Sequence, residues 1–170
     1  MPEKISAFTL IELVMVMLIT AILSIFVITD LINSVSSARL QAARFKLKSD
    51  IIYAQSLAVT QQINHGVVFT PSSEIYSLYR RINATTTLII INPLTLSNFT
   101  VNYQTDSNFQ GVNLASTSFG SPTTDQVEFN STGVPLSNAT AQLIADGSVT
   151  LGYGGATALI NVTKNTGKVN

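Results

Sequence analysis

The chain has 170 residues, 46% of them hydrophobic and 11% charged, and its nine Lys+Arg balance nine Asp+Glu. That length supports one modest core rather than two full domains. Zero net charge argues against a strongly basic nucleic-acid binder, and the absence of cysteine excludes a disulfide framework or a thiolate metal site.

From Phe8 to Thr29 the sequence reads FTLIELVMVMLITAILSIFVIT, with Glu12 its only charge. About 20 apolar residues cross a bilayer as a helix, so residues 8–29 are expected to span one. Neither Gly nor Pro occurs between Phe8 and Ile63, whereas all nine glycines and four of the five prolines follow. An unbroken helix over that stretch would reach roughly 80 Å, and so long a rod needs burial by something besides its own head. Past Asp30, the apolar residues Leu40, Ala43, Leu47, Ile51, Ala54 and Ala58 recur every three or four positions, which is one helical face. Arg39, Arg44, Lys46, Lys48 and Asp50 fall largely off that stripe. Residues 8–29 therefore read as a transmembrane half, and residues 30–63 as an amphipathic half that packs on a small domain. Gln61, Gln62, Asn64 and Gly66 close the helix.

Residues 64–170 are rich in Ser, Thr, Asn and Gly and carry short β-favouring runs. Strands are expected at Gly66–Thr70, Ile75–Tyr79, Thr86–Ile91, Phe99–Tyr103, Val127–Phe129, Ala141–Ile144, Ser148–Leu151 and Ala158–Val162. Pro71-Ser-Ser, Asn92-Pro93 and Asp146-Gly147 mark turns, and the polar stretch Gln104 to Asp125 reads as a surface loop. A helix followed by many strands gives an α+β head with an antiparallel sheet.

The most informative residues are Ala7-Phe8-Thr9-Leu10-Ile11-Glu12-Leu13. A secretory signal peptide places its small-residue cleavage site after a short apolar core. Here the small residue, Ala7, precedes a longer one. This order resembles the class III signal of type IV pilins and type II secretion pseudopilins. The resemblance implies a pilin-like fold, a long N-terminal α-helix packed on an antiparallel β-sheet head. It further implies a leader at residues 1–7, cleavage by prepilin peptidase between Ala7 and Phe8, and methylation of the new Phe8 terminus. The family usually has Gly before the cut where this chain has Ala7, which adds a β-carbon at the point the peptidase must grip. Glu12 would then serve subunit assembly, pairing with the Phe8 amine of a neighbour, because an unpaired carboxylate near the bilayer interior costs about 2.5–3.5 kcal/mol.

Leu47 to Phe69, and Phe129-Asn-Ser-Thr-Gly133-Val-Pro135, resemble the minor pilins and pseudopilins called GspH/FimT. The implied partners are other pilin or pseudopilin subunits, the prepilin peptidase, an inner-membrane assembly platform and membrane lipid. The implied location is the bacterial inner membrane, single pass with a periplasmic head, then a periplasmic or extracellular filament. The positive-inside rule alone points the other way, since only Lys4 precedes the span while Arg39, Arg44, Lys46 and Lys48 follow it. The cleavage motif is the more specific signal.

Three other readings stay open: a major pilin, a FimT-like minor pilin that takes up DNA, and a single-span membrane protein that never polymerises. For DNA the candidates are Arg80, Arg81, Lys164 and Lys168, with Tyr76, Tyr79 and Tyr103 as stacking partners. No enzyme, cofactor or metal site is expected. The lone His65 reads as a solvated helix-end residue, and Gly152, Gly154 and Gly155 lack the Lys-Ser/Thr of a phosphate loop. Asp106-Ser-Asn108 and Asp146-Gly147 read as turns rather than calcium loops. Five Asn-X-Ser/Thr patterns, at Asn83, Asn98, Asn130, Asn138 and Asn161, are glycan acceptors only in a host that glycosylates its surface proteins.

Overall fold

The computed structural model describes residues 9–120, 125–138 and 140–170, and within the long helix it describes the backbone but not the side chains of 25–34. One α-helix, α1, runs Leu10–Gln61. Among the described residues nine strands follow: β1 His65–Thr70, β2 Ile75–Arg81, β3 Thr87–Ile89, β4 Thr100–Asn102, β5 Asn113–Ser118, β6 Gln126–Phe129, β7 Pro135–Leu136, β8 Gly147–Tyr153 and β9 Ala156–Val162. Contacts divide the chain into two units, one ending at Ser36 and the other comprising Ser37–Asn170.

Within the second unit the helix buries the stripe read from its periodicity. Leu40, Ala43, Leu47, Ile51, Ala54 and Ala58 are all buried in the core. Asp50 corrects the reading that placed it off the buried face. It is only 5% exposed. Lys46 Nζ lies 2.7 Å from both its carboxylate oxygens, and Tyr76 OH donates to Oδ2 at 2.7 Å, so the buried charge is paired and hydrogen-bonded. The helix stops two residues before the expected Ile63. Gln62 turns left-handed at φ 57° and its side-chain amide donates back to Val59 O at 2.6 Å, satisfying one of the carbonyls a helix end leaves open.

The head holds two antiparallel sheets where one was expected. The larger has the order β3-β2-β1-β6-β7, with β4 also pairing β2, and the smaller is β5-β8-β9. Val67, Phe69, Leu78, Val127 and Phe129 from the first sheet, and Val149, Leu151, Ile160 and Val162 from the second, join the helix stripe in one core. Phe69 and Phe119 stack across it, 5.7 Å between ring centres. Arg44 Nε donates to Leu159 O at 3.1 Å, tying α1 to β9.

Two segments depart from expectation. The stretch expected as a loop contains β5, whose Ser- and Thr-rich sequence hides the strand because Leu114 is its only buried residue. Residues 141–144 form no strand. Only an isolated bridge, Leu136 to Gln142, occurs there, and Ile144 is 72% exposed. β6 pairs β1 on one side and the two-residue β7 on the other. Pro135 sits there at a short edge position, where its missing N–H does least harm.

Candidate functional site: an exposed apolar helix and the polar clusters of the head

Ala7 and Phe8, the expected processing site, lie outside the described residues. The site can be followed from Thr9. Glu12 N–H donates to Thr9 O at 3.1 Å and approaches Thr9 Oγ1 at 3.4 Å, half of a Thr-x-x-Glu capping box that starts the helix. Beyond it, Leu10, Ile11, Leu13, Val14, Met15, Val16, Met17, Leu18, Ile19, Ile22 and Leu23 are all exposed, so no face of this segment is polar. Its hydroxyls turn inward. Thr20 Oγ1 donates to Val16 O at 2.9 Å and Ser24 Oγ to Thr20 O at 2.7 Å, leaving no side-chain hydroxyl in need of water. The Glu12 carboxylate has no hydrogen bond or ion pair among the described residues. An apolar segment of this kind carries one unpaired charge, one turn from its start.

No helix of the structure is long and apolar enough, over the described residues, to cross a membrane. The expected span at 8–29 begins and ends on residues outside that description, namely Phe8 and the side chains from Ile25 onward.

In the head, the residues singled out for DNA do not form one surface of free cations and rings. Tyr76, Tyr79 and Tyr103 are buried, which leaves none of them a face for a base to stack on. Arg81 binds Glu128. Its Nε lies 2.7 and 2.9 Å from the two carboxylate oxygens, and its Nη2 forms a short ion pair with Oε2. Tyr79 OH donates to Glu128 Oε2 at 2.9 Å and Asn64 Nδ2 to Oε1 at 2.8 Å, so three side chains, two from β2 and one from the helix–strand junction, close over a β6 carboxylate with no exposed surface. Gly66 makes room for this cluster. It stands opposite both Tyr79 and Glu128 in the ladder, and a β-carbon there would lie 2.8 Å from the Tyr79 ring and 2.5 Å from Val127 O. Burial, then the adjacent Glu128 charge, raises the Tyr79 phenol far above its ordinary pKa, so it remains a donor.

Lys164 and Lys168 lie instead in the C-terminal turn. Lys164 N–H donates to Asp146 Oδ1 at 3.0 Å, and Thr163 N–H to Lys168 O at 2.9 Å. Asp106 Oδ1 accepts the Asn108 N–H at 2.9 Å, an Asx turn. Asn83, Asn130 and Asn138 do the same for the amides two or more residues on, so three of the Asn-X-Thr patterns have a local structural use.

His65 corrects the reading of a solvated helix-end residue. It opens β1, is 1% exposed, and lies 2.8 Å through Nδ1 from Ile63 O. Burial lowers its pKa below 6.5. The bond to Ile63 acts against this, the Arg80 guanidinium adds to it, and Glu128 opposes it. The unfolded chain therefore takes up this proton first as pH falls. Head stability contributed by His65 is complete above about pH 6.5 and declines as pH drops below it. Urea midpoints measured between about pH 7.5 and 5 should fall on the acid side in the native protein, with a shallower slope in His65→Gln. An unchanged slope would remove His65 from the account.

A long N-terminal helix packed by its second half on an antiparallel β head is a pilin-like α+β fold. The structure is similar to the minor pseudopilin EpsH from the Type 2 Secretion System of Vibrio cholerae, with TM-score 0.57 and 10% identity, over 78% of this chain and 94% of that one. It is also similar to the type IV minor pilin FimU of Pseudomonas aeruginosa, with TM-score 0.50 and 14% identity, over 77% of this chain and 86% of that one. No family model matches the chain, and no curated protein matches it by sequence.

Proposed function

We propose that the protein is a structural, non-catalytic subunit, of minor pilin or pseudopilin type, in a type IV pilus or a type II secretion pseudopilus. The observation that carries this is the helix from Leu10 to Ser24, apolar on every side and bearing one unpaired carboxylate, on a chain with a pilin-like fold. Covering each such side chain is worth about 1.5–3 kcal/mol, so the segment requires lipid or other apolar helices around it.

On this reading residues 1–7 are a leader removed by prepilin peptidase after Ala7, and the Phe8 amine is methylated. Residues 8–29 hold the subunit in the bacterial inner membrane with its head in the periplasm, and an assembly platform then draws it into a filament among other subunits. Residues 30–63 join rod to head. Glu12 pairs with the terminal amine of a neighbouring subunit and sets the register between rods.

The N-terminal mass of the protein from membranes of cells that carry a prepilin peptidase tests the route. The expected species starts at methylated Phe8. An intact Met1 terminus would reject processing at Ala7 and favour a stationary, single-span protein.

A further inference from the structure

β3 forms one end of the larger sheet, and its three residues are all exposed. Ile90 N–H donates to Leu78 O and Ile82 N–H to Thr86 O, so by the alternation of an antiparallel ladder the backbone groups of 86, 88 and 90 face β2. Those of Thr87 and Ile89 face outward. Natural sheet edges usually carry a charge, a proline or a bulge that blocks further pairing. The run Thr86-Thr87-Leu88-Ile89-Ile90-Ile91 has neither charge nor proline.

Beside this edge lies a groove of about 270 Å³ between the last turns of α1 and β3, lined by Tyr53, Leu57, His65, Arg80, Leu88 and Ile91 among others. It is too small for a cofactor and suits one or two side chains of a peptide. Arg80 is partly exposed there, and its guanidinium has no hydrogen bond or ion pair among the described residues, whereas its neighbour Arg81 is fully engaged. An unpaired guanidinium beside the apolar side chains of Tyr53, Leu57, Leu88 and Ile91 selects a carboxylate.

We propose that β3 and this groove receive an extended acidic strand from a different protein chain, which adds to the sheet at Thr87 and Ile89 and places a Glu or Asp on Arg80. A second copy of this chain does not fit the role, because among the described residues Glu128 is the only acidic one within a strand, and it is buried on Arg81. The proposal goes beyond the filament reading and does not rest on it, since it concerns the head alone.

The full-length chain in detergent is titrated with a short alternating Val/Thr peptide bearing one central Glu, and with its Gln twin. The Glu peptide is expected to slow amide exchange across β3 and to bind about tenfold more tightly than the twin. Arg80→Gln should equalise the two peptides. Ile89→Pro should abolish both, while leaving the thermal melt in place, because its lost N–H points away from β2. Should Ile89→Pro fail to fold, Arg80→Gln still decides. Unchanged exchange over β3, equal binding of the two peptides to the native chain, or a self-dimer dispersed by Ile89→Pro would each overturn the proposal.

Discussion

Glu128→Ala is expected to destabilise the head by about 3–5 kcal/mol, the cost of removing one partner from a buried, hydrogen-bonded ion pair. The carboxylate holds Arg81 from β2, Tyr79 OH from β2 and Asn64 from the helix–strand junction. Truncation leaves a guanidinium whose side chain is only 13% exposed without its counter-charge, and a buried phenol without its acceptor. Glu128→Gln keeps the shape and one acceptor oxygen, so its cost should be smaller. The double replacement Arg81→Met with Glu128→Leu should recover much of the loss, because two apolar chains of similar size remove both charges at once. Urea denaturation of the full-length protein in detergent, followed by a signal from the head, measures all three. Lys168→Ala, exposed in the C-terminal turn, serves as the control and should stay within about 0.5 kcal/mol. A Glu128→Ala cost below about 1 kcal/mol would mean that solvent reaches Arg81 and that the cluster is not closed.

The difference between the helix and this cluster shows which parts of the molecule can be read from sequence. The α1 stripe is a local pattern: Leu40 to Ala58 repeat with the period of the element that buries them, and the structure buries every one. The junction was legible too, since the glycine- and proline-free run ends close to where the helix does. The Glu128 cluster has no such local signature. Arg81 and Glu128 are 47 positions apart and meet only because the single strand β1 lies between β2 and β6, with its Gly66 opposite Tyr79 on one side and Glu128 on the other. A reader of the sequence sees Arg80-Arg81 as a pair of like cations. Strand alternation sends them to opposite faces, Arg81 onto Glu128 and Arg80 into the groove by α1. Asp50 was misplaced for a related reason. It lies next to the apolar stripe, and its burial depends on Tyr76, 26 positions away. The strand β5 was missed because its outward positions are Ser, Thr and Asn, whose composition is that of a loop. The site at the N-terminus is the reverse case. Its meaning lies in the order Ala7-Phe8-Thr9-Leu10-Ile11-Glu12, and the structure adds to it the exposure of the apolar side chains around a carboxylate with no local partner.

Glu12→Gln should leave membrane insertion intact and remove the subunit from filaments. Insertion does not need the charge. On insertion scales a carboxylate costs about 2.5–3.5 kcal/mol at the bilayer centre, so its neutral amide enters at least as readily. Assembly does need it on the proposed reading, because a charged terminal amine would otherwise be enclosed among apolar rods without a counter-charge. Losing one partner of such a pair costs about 2–5 kcal/mol, and with tenfold per 1.4 kcal/mol the variant's share of sheared filaments should fall at least ~25-fold. Glu12→Asp keeps the charge on a side chain shorter by one methylene and should give an intermediate yield. The comparison requires equal amounts of each variant in the membrane fraction and the same N-terminal mass, so that a processing defect is not read as an assembly defect. Thr9→Val supplies the other control. It removes the hydroxyl that faces the Glu12 amide but not the carboxylate, so a role for Glu12 in helix capping predicts that both variants fail together. Inter-subunit pairing predicts that Thr9→Val assembles and Glu12→Gln does not. Normal incorporation of Glu12→Gln would sink the pairing and leave the carboxylate without an assembly role.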